Sequence, residues 1–287
     1  MVMVITVDGT GDPGTGLGRI VPLIDGMPAQ GLLSLVDFDG GTNGQANPGP
    51  YLDKSGLGNN LTLKPGYTAP IQRATGLEVV SPHGAPLGSL ISGAMRDFTV
   101  VIAATPLMPG SESGVLTNFF SANQSSFDDG NPANSNATPT NYPVLNITGS
   151  SATGSWALYA STSAIAWGSP DRRVLTGAPG LGVPALMAIS VSGTEQVSGV
   201  AGIIRTMAYG QAEQVISSPA IASFFDGVTT RPNLAFGVWP NGSARSAAPI
   251  LARLHAVAVY ERSMTATQMS DILARMRTRL AVRGVEI

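Results

Sequence analysis

Apolar and polar residues alternate along much of this chain in short blocks of strand length. The clearest block is DFTVVIAAT at 97–105, where Phe98, Val100, Ile102 and Ala104 fall on one parity and Thr99, Val101, Ala103 and Thr105 on the other. A period of two predicts a half-buried strand. LLSLVDF at 32–38 predicts an earlier one, ended by the glycine-rich turn after Phe38. Further β-like blocks stand at GVLTNFFSA (114–122), YPVLNIT (142–148), SWALYAS (155–161), LMAISVS (186–192), GIIRTMAYG (202–210), NLAFGVW (233–239) and LARLHAVAVY (251–260). Strands at this spacing, split by Gly, Pro, Asn and Ser turns, predict an all-β sandwich or barrel.

The pattern changes after Tyr260. Met269, Ile272, Leu273, Met276 and Leu280 form one apolar stripe at helical spacing. Thr265 is placed to act as N-cap with Gln268 as its capping-box partner, and Met264 and Met269 sit where a hydrophobic staple belongs. Arg275, Arg277 and Arg279 lie near the C-terminal end, where the helix dipole favours cations, and Gly284 stops the helix. The methionines read as core filler.

Residues 1–30 differ from the rest. Met1–Val7 is a short apolar stretch able to pair as a strand, but the remainder is mostly glycine, proline and small residues, including GTGDPGTGLG at 9–18. This segment reads as an extended arm for attachment or oligomerisation, with the globular domain spanning 31–287. The polar tract SANQSSFDDGNPANSNATPTN at 121–141 predicts an insertion loop between strands.

The order of these blocks resembles the concanavalin-A-like jelly roll, specifically its laminin-G-like members, which occur in many extracellular and bacteriophage proteins. HAVAVYERSMTATQMSDIL is similar to that family's ending, a strand finishing in an aromatic residue that runs through a short basic turn into a capped helix. Upstream, DFDGGTNGQANPGPYLDKSGLGNNLTL resembles its opening strand and turn, carried here by Asp53, Ser55, Gly56, Gly58 and Asn59. DFTVVIAATP is similar to the next core strand, and MAISVSG with GIIRTMAYGQ to a hairpin of the family. The resemblance covers about residues 34–282. It implies a two-sheet antiparallel jelly-roll sandwich with one C-terminal α-helix, and a habit of binding glycans or proteins; a fold alone assigns no function.

Composition narrows the chemistry. The chain has 287 residues and no cysteine, enough for one large core but with neither disulfides nor thiolate metal sites. Net charge is −2 and Lys54 and Lys64 are the only lysines, so the electrostatic footprint of a nucleic-acid binder is missing. No stretch approaches the roughly 20 apolar residues of a membrane span. MVMVITVDGT lacks the pattern of an export signal. Neither a nucleic-acid nor a membrane partner is expected.

Catalytic signatures are sparse. Hydrolysis of a glycosidic bond uses an acid and a nucleophile held about 5 Å apart. The glutamates Glu78, Glu112, Glu195, Glu213, Glu261 and Glu286 are scattered, with no second acidic residue close by in sequence. His83 reads as a turn residue and His255, inside an apolar strand, as a structural histidine. GTGLG at 14–18 lacks the strand and helix that flank a dinucleotide-binding loop. No catalytic residue and no cofactor is assigned. Calcium is a candidate ligand through Asp128 and Asp129, or Asp37 and Asp39.

Sugar binding needs an aromatic face and a few planar polar groups. The loop candidates are Trp167 with Asp171 and Arg172 close behind, Tyr142, and Trp239 with Asn241 in the turn-like Pro240-Asn241-Gly242. Trp156 and Tyr159, within a strand block, read as core. The Asn-x-Ser/Thr sequons at Asn60, Asn123, Asn136, Asn146 and Asn241 read as products of loop composition.

The expected function is a non-catalytic virion surface protein, a decoration, head-fibre or tail component. Its arm would contact other virion proteins, and host-glycan adhesion is a second role. A homo-oligomer is expected, with a trimer as the guess from viral habit. The alternatives are a free-standing lectin or adhesion module and, last, a polysaccharide-degrading enzyme.

Overall fold

The computed structural model describes residues 3–8, 19–63, 69–79, 87–89, 97–107, 116–123, 144–150, 155–161, 172–175, 182–217, 233–236 and 252–287. At the N-terminus β1 (Met3–Asp8) pairs with β2 (Arg19–Ile24), and β2 with the short β3 (Met27–Pro28). In chain order come β4 (Leu32–Asp37), β5 (Thr62–Leu63), β6 (Ile71–Arg73), β7 (Gly76–Val79), β8 (Leu87–Ser89) and β9 (Asp97–Pro106). Next are β10 (Leu116–Asn123), β11 (Val144–Ser150), β12 (Ser155–Ser161), β13 (Arg172–Leu175), β14 (Ala185–Val197) and β15 (Val200–Ala208). β16 (Gln214–Ser217), β17 (Asn233–Phe236), β18 (Ala252–Tyr260) and the helix α1 (Ala266–Val282) complete the order.

Two antiparallel sheets make up the body. One has seven strands in the order β13-β12-β11-β10-β17-β8-β5. The other has eight, ordered β16-β15-β14-β9-β18-β7-β6 with β4 also on β18. The architecture is an all-β sandwich with a C-terminal helix, as the periodicity predicts. Every strand block identified from the sequence contributes a strand, with bounds shifted by a few residues.

The second sheet is buried on both faces, which corrects the half-buried reading of β9. Phe98, Val100, Ile102 and Ala104 join the core that also holds Phe236 of the seven-stranded sheet. Val101 and Ala103 instead pack with the stripe of α1, Met269, Ile272, Leu273, Met276 and Leu280. Small residues make that second layer feasible. Ala103, Ala188, Ala256 and Ala258 face the helix and let it approach the sheet closely. Met27, inside the segment read as an arm, is fully buried in this layer.

The N-terminus of α1 is built as its local sequence predicts. Thr265 caps it, with both halves of the capping box formed. Met264 and Met269 are buried. Gly284 takes a left-handed φ of 76° past the last turn, a conformation that costs glycine little.

β18 carries one extra residue opposite β9. Leu254 pairs with Ala104 and Ala256 with Ala103, leaving His255 as a bulge. The bulge switches parity. Before it, Ala252 and Leu254 face the sandwich core; after it, Val257 and Val259 do. It also marks the point where β18 changes partner, from β7 to β4.

Candidate functional site

Three described polar clusters are built into the scaffold. Asp53 accepts hydrogen bonds from Leu35 N at 2.9 Å, Ser55 N at 2.8 Å, Ser55 Oγ at 2.6 Å and Asn59 N at 3.0 Å. Asn60 Oδ1 accepts from Asp53 N at 2.8 Å, and Asn59 Nδ2 donates to Leu33 O at 2.7 Å. The Asp-x-Ser-Gly-x-Gly-Asn turn is therefore a stitch that fastens this loop to the edge of β4. The Asp53 carboxylate is saturated by these four donors.

Asp37 is the centre of the second cluster. Its side chain is fully buried and meets Lys54 Nζ at 2.8 Å, Arg283 at 2.9 Å and both Nε and a terminal nitrogen of Arg279. Arg279 also pairs with Asp25 at 2.7 Å, and Arg283 with Asp39 at 3.1 Å. Burial alone raises a carboxylic pKa, but here hydrogen bonds and charge from Arg279, then Lys54 and Arg283, hold Asp37 below its usual range. This corrects the calcium reading of Asp37 and Asp39. Their oxygens are taken by three cationic side chains, which would repel a metal ion. Among the described residues no group of three or more acidic or histidine side chains is placed to hold a metal.

His255 forms the third. Its Nδ1 faces the carbonyl of Thr75, which only accepts, so Nδ1 carries the proton. Nε2 then accepts from Thr105 Oγ1 at 2.7 Å. Gly76 must be glycine here, because a Cβ would lie 2.2 Å from Leu254 O. Burial pushes the imidazole pKa down to about 4. The ring is a neutral structural bridge between β18, β9 and the turn before β7, as its apolar strand context suggests.

The outer face of the seven-stranded sheet is chemically different. Phe236 is buried in the sandwich core and sets which parity points inward. Cα register carries that parity across the sheet through Leu63, Leu87, Phe236, Phe120, Ile147, Leu158 and Arg173. The next row lies on the opposite face and runs Thr62, Gly88, Ala235, Ser121, Asn146, Tyr159 and Arg172. Thr62, whose side chain is described, is exposed. Asn123, Thr148, Ser161 and Asn233 share that outer face by the same register. The helix α1 packs on the other sheet.

Neighbouring strands lie about 4.8 Å apart. Asn146, Tyr159 and Arg172 thus share one register row on consecutive strands, over about 10 Å of backbone. Trp156 and Tyr159, both read as core, stand on opposite parities of β12, Tyr159 in register with Arg172. Alternation within SWALYAS separates Trp156 from Tyr159, but nothing local says which parity is inward.

No family model matches the chain, and no curated protein does. Solved structures do. A Trypanosoma rangeli sialidase mutant displaying trans-sialidase activity superimposes with a TM-score of 0.51 at 11% identity, over 96% of this chain and 36% of the sialidase. The same sialidase in complex with the inhibitor DANA gives 0.51 at 12%, over 88% and 35%. The ligand binding domain of Botulinum neurotoxin serotype D, in complex with N-acetylneuraminic acid, gives 0.50 at 7%, over 88% and 52%. The likeness is one of fold. This chain spans about a third of the sialidases' length and about half of the neurotoxin domain's.

Of the loop candidates, Arg172 lies at the start of β13. Tyr142, Trp167, Asp171, Trp239 and Asn241, with the calcium candidates Asp128 and Asp129, fall outside the described residues. Topology still relates the segments that carry them. Register puts the end of β10 and the start of β11 at the same end of the sheet as the end of β12 and the start of β13. The connections holding Asp128, Asp129, Tyr142, Trp167 and Asp171 all attach there, next to Arg172. Trp239 and Asn241 come after β17, which leaves from the opposite end.

Proposed function

We propose that this chain is a non-catalytic carbohydrate-binding β-sandwich whose ligand face is the outer surface of the seven-stranded sheet. The observation that carries the reading is the row Asn146, Tyr159, Arg172. An aromatic face suits the apolar side of a sugar ring, and a flanking amide and guanidinium suit its hydroxyls. Tyr142, Trp167 and Asp171, in connections that join the sheet at the Arg172 end, are further candidates for ligand contact, as are Trp239 and Asn241 in the segment after β17. The described strands of this sheet contain no Asp or Glu, so any carboxyl group at this face would have to come from outside them. Support from comparison is limited to fold, although one structural neighbour is described as a ligand binding domain in complex with a sugar acid.

A glycan array probed with the wild-type chain, Tyr159→Ala and Trp167→Ala tests this. Specific glycans are retained by the wild type and bound at least about tenfold more weakly by Tyr159→Ala, a loss of about 1.4 kcal/mol, with the melting temperature unchanged. An array without hits, or hits that Tyr159→Ala leaves intact, overturns the sheet-face reading. Loss confined to Trp167→Ala moves the site to the loop.

The setting proposed for this module is a virion surface, as a decoration, fibre or tail component held by the N-terminal segment in a homo-oligomer. Its supports are the laminin-G-like resemblance and the low charge of the chain, 12%. Mass spectrometry of purified particles beside size-exclusion chromatography of the isolated chain separates this setting from a free-standing lectin.

A further inference from the structure

We propose that the hairpin tip formed by residues 23–27 is a clasp, which shuts the N-terminal segment onto the C-terminal end of α1 and opens locally while the layer beneath stays closed. Among the described residues β1, β2 and β3 form a sheet of their own, with no ladder to either sheet of the body. Side chains make the joint instead. Met27 is fully buried, in the same apolar layer as Met276 and Leu280 of α1, and Leu23 is buried too. On the polar side Arg279 donates from Nη1 to Asp25 O and from Nη2 to Asp25 Oδ2, each at 2.7 Å.

The tip is preformed. Leu23 pairs with Pro28 and Ile24 with Met27, closing a two-residue turn in which Asp25 and Gly26 take left-handed φ values of 51° and 84°, the combination that a type I′ hairpin requires. Such a tip keeps its shape when it leaves its seat. Arg279 likewise keeps a partner, because its Nε donates to Asp37 Oδ1 at 3.0 Å and its Nη2 also reaches Asp37 Oδ2. The Asp25 side chain is 52% exposed, so water takes over its half of the pair on release. No buried charge is stranded, and the largest electrostatic penalty to opening is absent. Glu261 N donates to Gly31 O at 2.7 Å, a backbone tie that holds the start of β4 while the tip moves. An opening confined to so few residues belongs at the low end of local stabilities.

The chain has no cysteine, so Met27→Cys carries a single thiol whose labelling by a maleimide under native conditions reads the open clasp. Ala258→Cys, at a fully buried position of the same layer on β18, reads opening of the layer itself. Met27→Cys labels at least about tenfold faster than Ala258→Cys. Adding Asp25→Asn, which keeps the turn but removes the charge, speeds Met27→Cys about threefold, as loss of a half-exposed ion pair implies, and leaves Ala258→Cys unchanged. Hydrogen exchange of the cysteine-free chain guards against a Met27→Cys that folds poorly: Asp25→Asn raises uptake over residues 23–30 and not over 252–260. Equal labelling at the two positions, or exchange and labelling that Asp25→Asn leaves untouched, overturns the clasp and makes the tip a fixed part of the core.

Discussion

Taking His255 out of water disfavours its protonated form, and burial is the main reason its pKa falls from an ordinary 6.5 to about 4. The hydrogen bond to Thr75 opposes this drop, and the charges of Arg253 and Arg283 add to it. The consequence for stability has a definite sign. Well above pH 6.5 the ring is neutral folded or unfolded, and its full contribution is present. As pH falls toward 4 the unfolded chain takes up a proton that the folded one refuses, so stability is lost across that window. By pH 5 the loss amounts to about 2 kcal/mol in all. Asp37, Glu78 and Glu195 are shifted in the downward direction from ordinary values of 3.8, 4.5 and 4.5. Their losses fall at lower pH, which leaves this window to the imidazole. Urea unfolding at pH 7 and pH 5 checks the point: His255→Gln starts less stable but loses markedly less on acidification than the wild type. An equal loss in both proteins would remove the imidazole from the account.

At the scale of the element, α1 is the segment whose sequence specifies it most completely. Its cap, its apolar stripe and its stop are set by residues within a turn or two of one another. Gln268 Oε1 accepts from Thr265 N at 3.0 Å, and Thr265 Oγ1 accepts from Gln268 N at 3.4 Å. Replacing Thr265 with Ala removes the cap and costs about 1 kcal/mol, read as a lower urea midpoint with an unchanged m-value. The arginines near the C-terminal end do more than answer the dipole. Arg279 is clamped between Asp25 and Asp37, Arg275 bonds to Asp271 at 2.9 Å, and Arg277 lies over the Tyr209 ring at 5.1 Å. Arg283, just past the helix, joins the same acidic cluster. The helix is thus anchored to the sheet by charge as well as by its apolar stripe.

For the whole molecule the decisive feature is that one sheet serves two interiors. Its inner face closes the sandwich and its outer face seats α1, so the helix covers Leu35, Val101, Leu186 and Ala258. A chain truncated after Arg262 exposes that face and binds a hydrophobic dye such as ANS or aggregates, whereas one that stays monomeric without dye binding would show the layer to be dispensable. Strand blocks, the capped helix and the turn around Asp53 are all legible in the sequence, because periodicity, capping and turn chemistry act over a few residues. The candidate site is legible only in part. Arg172 stands out for its place behind Trp167, but the shared register row of Asn146, Tyr159 and Arg172 joins strands that only the sheet pairing brings together. The same holds for the second face of β9, filled by a helix more than a hundred residues further on, and for the bulge at His255 that reverses parity in β18. Asp37 likewise finds its partner Arg279 across 242 positions. The order of apolar and polar residues determined which segments form strands and helix; which side of each strand is dry, and which charges meet, was decided by packing between segments far apart in the chain.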